Sequence, residues 1–299
     1  MFRRIKLGAA IGAFIAAAST FSTASMAQEY KLGIQAYKGA DVAAREWRPT
    51  AEYLSQKLGM TFAIVPLNDK DLIAGVQEGK IDFFFSNPSI YVQLKGEGKA
   101  EAVATSTKEI KGQRTEKVAS SILVRKDSPI TKLSDFKGKE FMTRAKSSFA
   151  GWLIVKRLFL EKGIDPDRDF KSVQETKSVQ HVVYAVLNGA VDGGAVIAGT
   201  LEEMARDGKV SMDDFRVINK SSADYPFAHS TPLYPEFPMV AAAHTSPELR
   251  AQVAKALTAL TPEDPASKAS QVASWVPPLD YSPVADCMRL VQNNGSGKI

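Results

Sequence analysis

The chain of 299 residues contains a single cysteine, Cys287. One thiol excludes an internal disulfide framework, a CxxC redox pair and a cysteine-rich zinc site. Histidine is nearly as scarce, with only His181, His229 and His244. None has a second histidine or a cysteine three or four residues away, so no metal site is expected. Nucleotide and nucleophile signatures are missing too: there is no G-x-G-x-x-G, no Walker A, no G-x-S-x-G and no H-E-x-x-H. Gly96-Glu97-Gly98 has too few glycines to replace them. No cofactor and no enzymatic activity are therefore expected. A strong excess of one charge is also lacking. Lys+Arg 38 against Asp+Glu 33 gives +5, and Arg3, Arg4 and Lys6 supply three of those positive charges. A chain this close to neutral beyond its first 27 residues carries no nucleic-acid signature. The composition, 44% hydrophobic and 24% charged, is that of a globular protein long enough to build a core without disulfides.

The N-terminus reads as an address. A basic start is followed by an apolar stretch, Leu7 to Ala18, too short to span a bilayer, and then by Ser25-Met26-Ala27 with small residues at −3 and −1. This predicts a secretory signal peptide over 1–27, a mature chain beginning at Gln28, and a periplasmic location. No later run reaches about 18 consecutive apolar residues.

Periodicity then alternates between strand and helix. Tyr30–Ala36, Thr61–Leu67 and Ile81–Phe85 read as strands. Between them Asp41 is placed to cap a helix that Pro49 should kink or restart, and Asn68 to cap a shorter one ending at Gly79. Strand, helix, strand, helix, strand predicts a parallel sheet covered on both faces. The middle repeats the logic. Ser121–Arg125, Glu140–Thr143, Lys171–Gln174, Val191–Val196 and Phe215–Ile218 are strands. Helices open at Ser147-Ser148, at Ser178 and at a Thr200/Glu203 capping box. Beyond it Tyr225-Pro226, Tyr234-Pro235 and Phe237-Pro238 mark extended chain. Two α/β units without a linker predict two lobes with the chain crossing twice: 28–120 plus 225–299, and 121–224. The expected fold class is α/β, each lobe a mixed, mainly parallel sheet flanked by helices, with a ligand cleft between lobes.

Strand ends and helix starts face such a cleft, and helix N-termini offer unpaired N–H groups to an anion. On that ground Tyr37 after the first strand, Ser86, Asn87 and Tyr91 after the third, and Arg144, Ser147, Ser148 and His181 in the second lobe are the candidate ligand contacts. Each has a plainer reading: Ser147 and Ser148 as helix caps, Ser86 and Asn87 as turn formers, Tyr37 and Tyr91 as packing residues, Arg144 as solvated, His181 as a polar first-turn residue. His229 and His244 read as structural or exposed.

Four segments together resemble a known family: IDFFFSNPSIY (81–91), SDFKG (134–138), SSFAG (147–151) and AVLNGAVDGG (185–194). Their order and spacing are similar to those of the periplasmic solute-binding proteins of phosphonate-type (PhnD-like) ABC transporters, within the type II periplasmic binding proteins. The run His229–Pro238 is similar to a sub-branch fused to sensor histidine kinases. The resemblance implies a monomeric binding protein that closes on phosphonate, phosphite or phosphate and delivers it to an ABC permease. It implies that Ser147 and Ser148 hold the anionic group, with Tyr91 and Tyr37 as the aromatic contacts. Val179 stands where the family usually has a histidine, and only His181 is near, so another oxyanion, such as a sulfur oxyanion, or another organic solute stays open. A separate sensor kinase stays open as the partner.

Overall fold

The computed structural model describes residues 28–110, 112–176 and 178–295, and the expected signal peptide lies outside them. The chain runs β1 (Glu29–Gln35), α1 (Ala40–Leu58), β2 (Thr61–Leu67), α2 (Asp69–Gln77), β3 (Phe83–Phe85), α3 (Pro88–Gly96), β4 (Ala100–Ile110), β5 (Gln113–Thr115), β6 (Lys117–Val118) and β7 (Ser120–Arg125). It continues through β8 (Glu140–Thr143), α4 (Ile154–Glu161), α5 (Pro166–Asp169), β9 (Ser172–Glu175), α6 (Val179–Leu187), β10 (Gly193–Ile197), α7 (Thr200–Arg206) and β11 (Phe215–Ile218). Last come β12 (Tyr234–Pro235), β13 (Pro238–Ala242), α8 (Pro247–Thr258), α9 (Pro265–Ser270), β14 (Ser274–Val276) and α10 (Ser282–Gly295). Among the described residues no helix is long and apolar enough to cross a membrane.

Two sheets form the two lobes. The first has the order β14-β4-β13-β3-β1-β2, with β5 on β4. Its β2-β1-β3 half is parallel, with Leu32 opposite both Ile64 and Phe83, as alternation predicts. Its other half, built from β13, β4 and β14, is antiparallel. The second sheet has the order β11-β7-β10-β8-β9, parallel from β10 to β9 and antiparallel at β7 and β11. The two segments that pass between the sheets pair with each other, Tyr234 opposite Val118. Each lobe has its own core. Under the first sheet Trp47, Leu54, Phe83 and Val253 close together. Under the second, Phe136, Phe141, Phe159 and Phe170 interlock, with Phe159 and Phe170 centroids 5.0 Å apart. Burying each such ring stabilises the fold by roughly 1.5–3 kcal/mol. Gly193 lets this packing close up, because a Cβ there would stand 2.5 Å from the Phe136 ring. A further cluster joins the lobes: Tyr91 and Tyr281 share it with Phe149 and Ile154, and α10 packs on both α3 and α4.

Three local expectations are corrected. Helix α1 is capped by Gly39, at φ 101, with Asp41 inside its first turn, where a negative charge suits the helix dipole. The helix does not restart at Pro49 but runs on through it. The carbonyl that loses its donor there belongs to Arg45, an exposed position where water can replace the lost bond. The Thr200/Glu203 capping box does not form, because Gly199, at φ 99, occupies the cap position and Thr200 is the first helical residue.

Candidate functional site

The site is built where β1 and β8, one from each sheet, release the chain. After Gln35 the backbone turns sharply, with Gly39 N–H donating to the Ala36 carbonyl at 3.0 Å, and Tyr37 stands at the tip, 48% exposed. The chain leaving β8 reaches it directly. Arg144 Nη2 donates to the Tyr37 carbonyl at 3.1 Å, and its Cζ lies 5.7 Å from the Tyr37 ring centroid. Two of the candidate residues, from opposite lobes, are thus in contact. Among the described residues no carboxylate pairs with Arg144. By contrast Lys38, 5.6 Å from the same ring, is already held by Glu46 at 3.1 Å. The space under the turn, lined by Gln35, Tyr37, Lys38, Glu46 and Trp47, is about 10 Å³, room for no more than a water.

From Arg144 the loop is fixed by its own hydrogen bonds. Lys146 N–H donates to Glu175 Oε1 at 2.6 Å, and Ser148 N–H to the Ala145 carbonyl at 3.1 Å. Ser148 Oγ accepts from Gly151 N–H at 3.1 Å and so caps the turn of π-helix, Phe149–Leu153, that leads into α4. Thr143 Oγ1 donates to the Gly151 carbonyl at 2.8 Å, tying that turn back to β8. Ser147 is exposed beside the cap. The loop therefore presents a guanidinium, a hydroxyl and a helix start in sequence, a donor set suited to an oxyanion.

The other candidates are placed differently. Ser86 and Asn87 are buried and shape the start of α3. The Asn87 side chain accepts from Ser89 N–H at 3.0 Å, and Asn87 N–H donates to Gln35 Oε1 at 2.8 Å. Gln35 in turn donates from Nε2 to Asp69 at 2.7 Å, so one side chain locks three strand ends together. Tyr91 is 1% exposed and packs edge-on to Tyr281 with centroids 5.0 Å apart, inside the core that joins the lobes. His181 is exposed in the first turn of α6, its N–H donating to Ser178 Oγ at 3.3 Å and its Nδ1 3.4 Å from Thr176 Oγ1. Glu175 connects that region to the Arg144 loop. The lone thiol, Cys287, is fully buried, and burial pushes its pKa up to about 12.

Periodicity did not single out the polar groups along the interlobe crossing. His229 is 1% exposed, with Nδ1 donating to the Phe227 carbonyl at 3.0 Å and Nε2 lacking a partner. Glu236 is buried and pairs with Lys108 Nζ at 3.1 Å. Burial is the largest single influence and works against the Lys108 ammonium, but the charge and hydrogen bond of Glu236, with Tyr37 and Glu203 adding to them, together outweigh it and raise the pKa. The signal was there in the run His229–Pro238, which places a histidine and a glutamate among prolines.

Comparison with known proteins agrees with this architecture. The chain is 30% identical over 247 residues to the tetrathionate sensor histidine kinase TtrS of Salmonella typhimurium, covering 82% of this chain and 42% of that protein. The chain thus spans well under half the length of that curated relative. Among solved structures, XAC2383 from Xanthomonas citri, bound to ATP, superposes with a TM-score of 0.70 at 19% identity, over 90% of this chain and 99% of that one. PhnD1 from Prochlorococcus marinus, in complex with methylphosphonate, gives 0.69 at 15% identity, over 88% and 98%. Both share the two-lobed fold. The model of the family described as "ABC transporter, phosphonate, periplasmic substrate-binding protein" matches residues 32–281, and the chain belongs to that family of periplasmic ligand-capturing proteins.

Proposed function

We propose that this protein captures a small oxyanion between a first lobe, 28–120 plus 225–299, and a second lobe, 121–224, and delivers it to an ABC permease. One observation carries the reading: the Arg144 guanidinium crosses to Tyr37 with no carboxylate to neutralise it, beside the Ser147–Ser148 helix start. Lys38 is matched by Glu46 and Lys108 by Glu236, whereas among the described residues the side chains of Arg144 and its loop neighbour Lys146 have no carboxylate partner, so the unmatched positive charge belongs to this loop. Capture is by lobe closure, a shift between open and closed populations that a ligand touching both lobes drives. The ligand's oxygens take the place of the Tyr37 carbonyl on Arg144 and meet the Ser147 and Ser148 hydroxyls. No covalent step is involved. The protein acts as a monomer in the periplasm, and residues 1–27 are its cleaved signal peptide.

A second reading keeps the site and changes the ligand and partner. The tetrathionate sensor kinase is the relative at 30% identity, and the run His229–Pro238 is similar to sensor-fused members. In this reading the protein reports a sulfur oxyanion to a separate sensor kinase.

Thermal melts of the purified protein with methylphosphonate, phosphite, phosphate, sulfate, thiosulfate and tetrathionate test both. Ligand at about 100 times its Kd adds about 2.7 kcal/mol, a shift of several degrees. A shift with a phosphorus anion supports the first reading, and one with tetrathionate alone supports the second. No shift with any of the six overturns oxyanion capture.

A further inference from the structure

The loop proposed to hold the anion already holds a carboxylate of the chain itself. β9 runs parallel to β8 with Glu175 opposite Thr143, so both strands release the chain at the same end of the second sheet. The two exits are laced together. Thr176 N–H is shared between the Thr143 carbonyl at 3.1 Å and the Arg144 carbonyl at 3.3 Å, and Glu175 Oε1 accepts the Lys146 N–H at 2.6 Å. That N–H lies between Arg144 and Ser147 in the chain, so an anion bridging those two side chains passes beside the Glu175 carboxylate. Glu175 is exposed, and among the described residues its Oε2 has no partner and no cationic side chain pairs with it. The charged and titratable groups around it are Arg144 and Lys146 on the loop and His181 on α6, whose Nδ1 is 3.4 Å from Thr176 Oγ1. α5 also packs on β9, but its carboxylates are engaged, Asp167 with Lys156 and Asp169 with Lys137, and its Arg168 is exposed.

An ionised carboxylate can only accept hydrogen bonds. We infer that Glu175 is a specificity-determining residue that reads the proton on the ligand. An oxyanion with an O–H donates it to Glu175 Oε2 in a short, charge-assisted bond, while its bare oxygens meet Arg144, Ser147 and Ser148. An oxyanion without a proton meets the same carboxylate oxygen to oxygen, like charge against like charge, and is rejected. The class selected is the monoprotonated phosphorus oxyanion, such as hydrogen phosphite or the methylphosphonate monoanion. Sulfate and tetrathionate carry no proton near neutral pH and are disfavoured. This inference rests on oxyanion capture and chooses between its two ligand classes.

Glu175→Gln keeps an acceptor for the Lys146 N–H and removes the charge, so the loop stays braced, and a ligand-free melt checks that it does. Wild type and E175Q are titrated calorimetrically with methylphosphonate on the acid and alkaline sides of its second ionisation, and with sulfate and tetrathionate. Sulfate keeps its charge across that range and so controls for titration of His181 and other groups of the protein. The wild type is expected to bind the methylphosphonate monoanion about tenfold or more tighter than the dianion or either sulfur anion. E175Q binds the monoanion about tenfold to a hundredfold more weakly, the worth of a hydrogen bond to a charged group, and the dianion more tightly. A carboxylate that acts only through its charge gives the opposite sign, with E175Q binding the monoanion more tightly. One that only braces the loop leaves E175Q within about threefold of wild type for every probe. Either result overturns the role of Glu175 and leaves oxyanion capture standing. So does a wild type whose methylphosphonate affinity holds level across the ionisation or falls below its affinity for tetrathionate, a test that needs no variant. A wild-type protein that binds none of the probes overturns the inference together with the reading beneath it.

Discussion

Replacing Arg144 by glutamine separates ligand binding from folding more cleanly than any other single change at the site. Among the described residues the guanidinium makes one hydrogen bond, at 3.1 Å to the Tyr37 carbonyl, in a partly exposed setting and without a carboxylate. A hydrogen bond of this kind is worth about 0.5–1.5 kcal/mol at most when exposed. At this chain length that moves the melting temperature by only a few degrees. The bound state differs. There the guanidinium faces an anion in a closing cleft, and losing a charge-assisted hydrogen bond costs about 1.5–3 kcal/mol, or roughly tenfold to a hundredfold in Kd. Arg144→Lys keeps the charge but not the planar fork, so it falls between wild type and glutamine. Isothermal titration of the three proteins with the anion that stabilises the wild type, paired with their ligand-free melts, gives both quantities. An R144Q protein that binds as tightly as wild type refutes the argument that the unpaired guanidinium is the anion's contact. One that melts more than about ten degrees lower shows that Arg144 holds the fold and that its contact was misjudged.

Two further outcomes follow from local geometry. Gly151→Ala places a Cβ 2.7 Å from Ser148 Oγ and 3.0 Å from Ser148 Cβ. This breaks the cap, lowers stability by about 1 kcal/mol and weakens anion binding, and a G151A protein that melts and titrates like wild type refutes the account of the loop. Cys287 titrates upward on folding, to about 12 from the 9.0 of a free thiol. Folding therefore favours the protonated thiol, and its contribution is complete below about pH 9 and is lost as pH rises toward 12, at about 1.4 kcal/mol per pH unit. A thiol reagent at pH 8 leaves the native protein unlabelled and labels it only on unfolding, and alkaline melts of Cys287→Ser fall less steeply with pH. Rapid native labelling contradicts the buried position.

Where the sequence has a period, its reading and the structure coincide. Leu32 and Ile34 are buried in β1 as the alternation predicts, although Gly33 and Gln35 beside them are buried too, and Phe83-Phe84-Phe85 forms a strand buried on both faces. Asn68 and Ser178 each accept the backbone N–H that an N-cap should. β4 has no such period. Its buried positions include Ala102, Ala104, Thr105, Ser106 and Thr107, small and partly polar residues on both faces of a central strand. Neither alternation nor an aliphatic run marks it, and Lys108 went unnoticed with it. Placement at a strand end drew attention to Tyr91 for the same reason that it drew attention to Tyr37. What separates them is tertiary: α10, far along the chain, lays Tyr281 against Tyr91 and buries it. The Arg144–Tyr37 contact joins residues from different sheets, and no local pattern encodes it.

The loop proposed to hold the anion is also packed against the rest of the molecule. Ser148, which caps the π-helical turn leading into α4, is followed directly by Phe149, and that ring packs edge-on to Tyr234 with centroids 5.2 Å apart. Tyr234 pairs with Val118 in the short ladder between the two crossing segments. Ser120 N–H donates to Thr231 Oγ1 at 3.0 Å, and Ser230 N–H to the Ser120 carbonyl at 2.7 Å, bracing the same crossing. Packed interiors move between discrete arrangements and do not deform continuously. In the proposed capture, then, an anion that tightens the Ser148 turn also biases the Phe149–Tyr234 contact at the crossing. The same core carries Tyr91, Tyr281 and Cys287, the last on α10 with its Sγ 3.6 Å from the Leu153 carbonyl of the loop's own helix. In that proposal, occupancy of the loop has a short, packed route to α10, which contacts both α3 and α4.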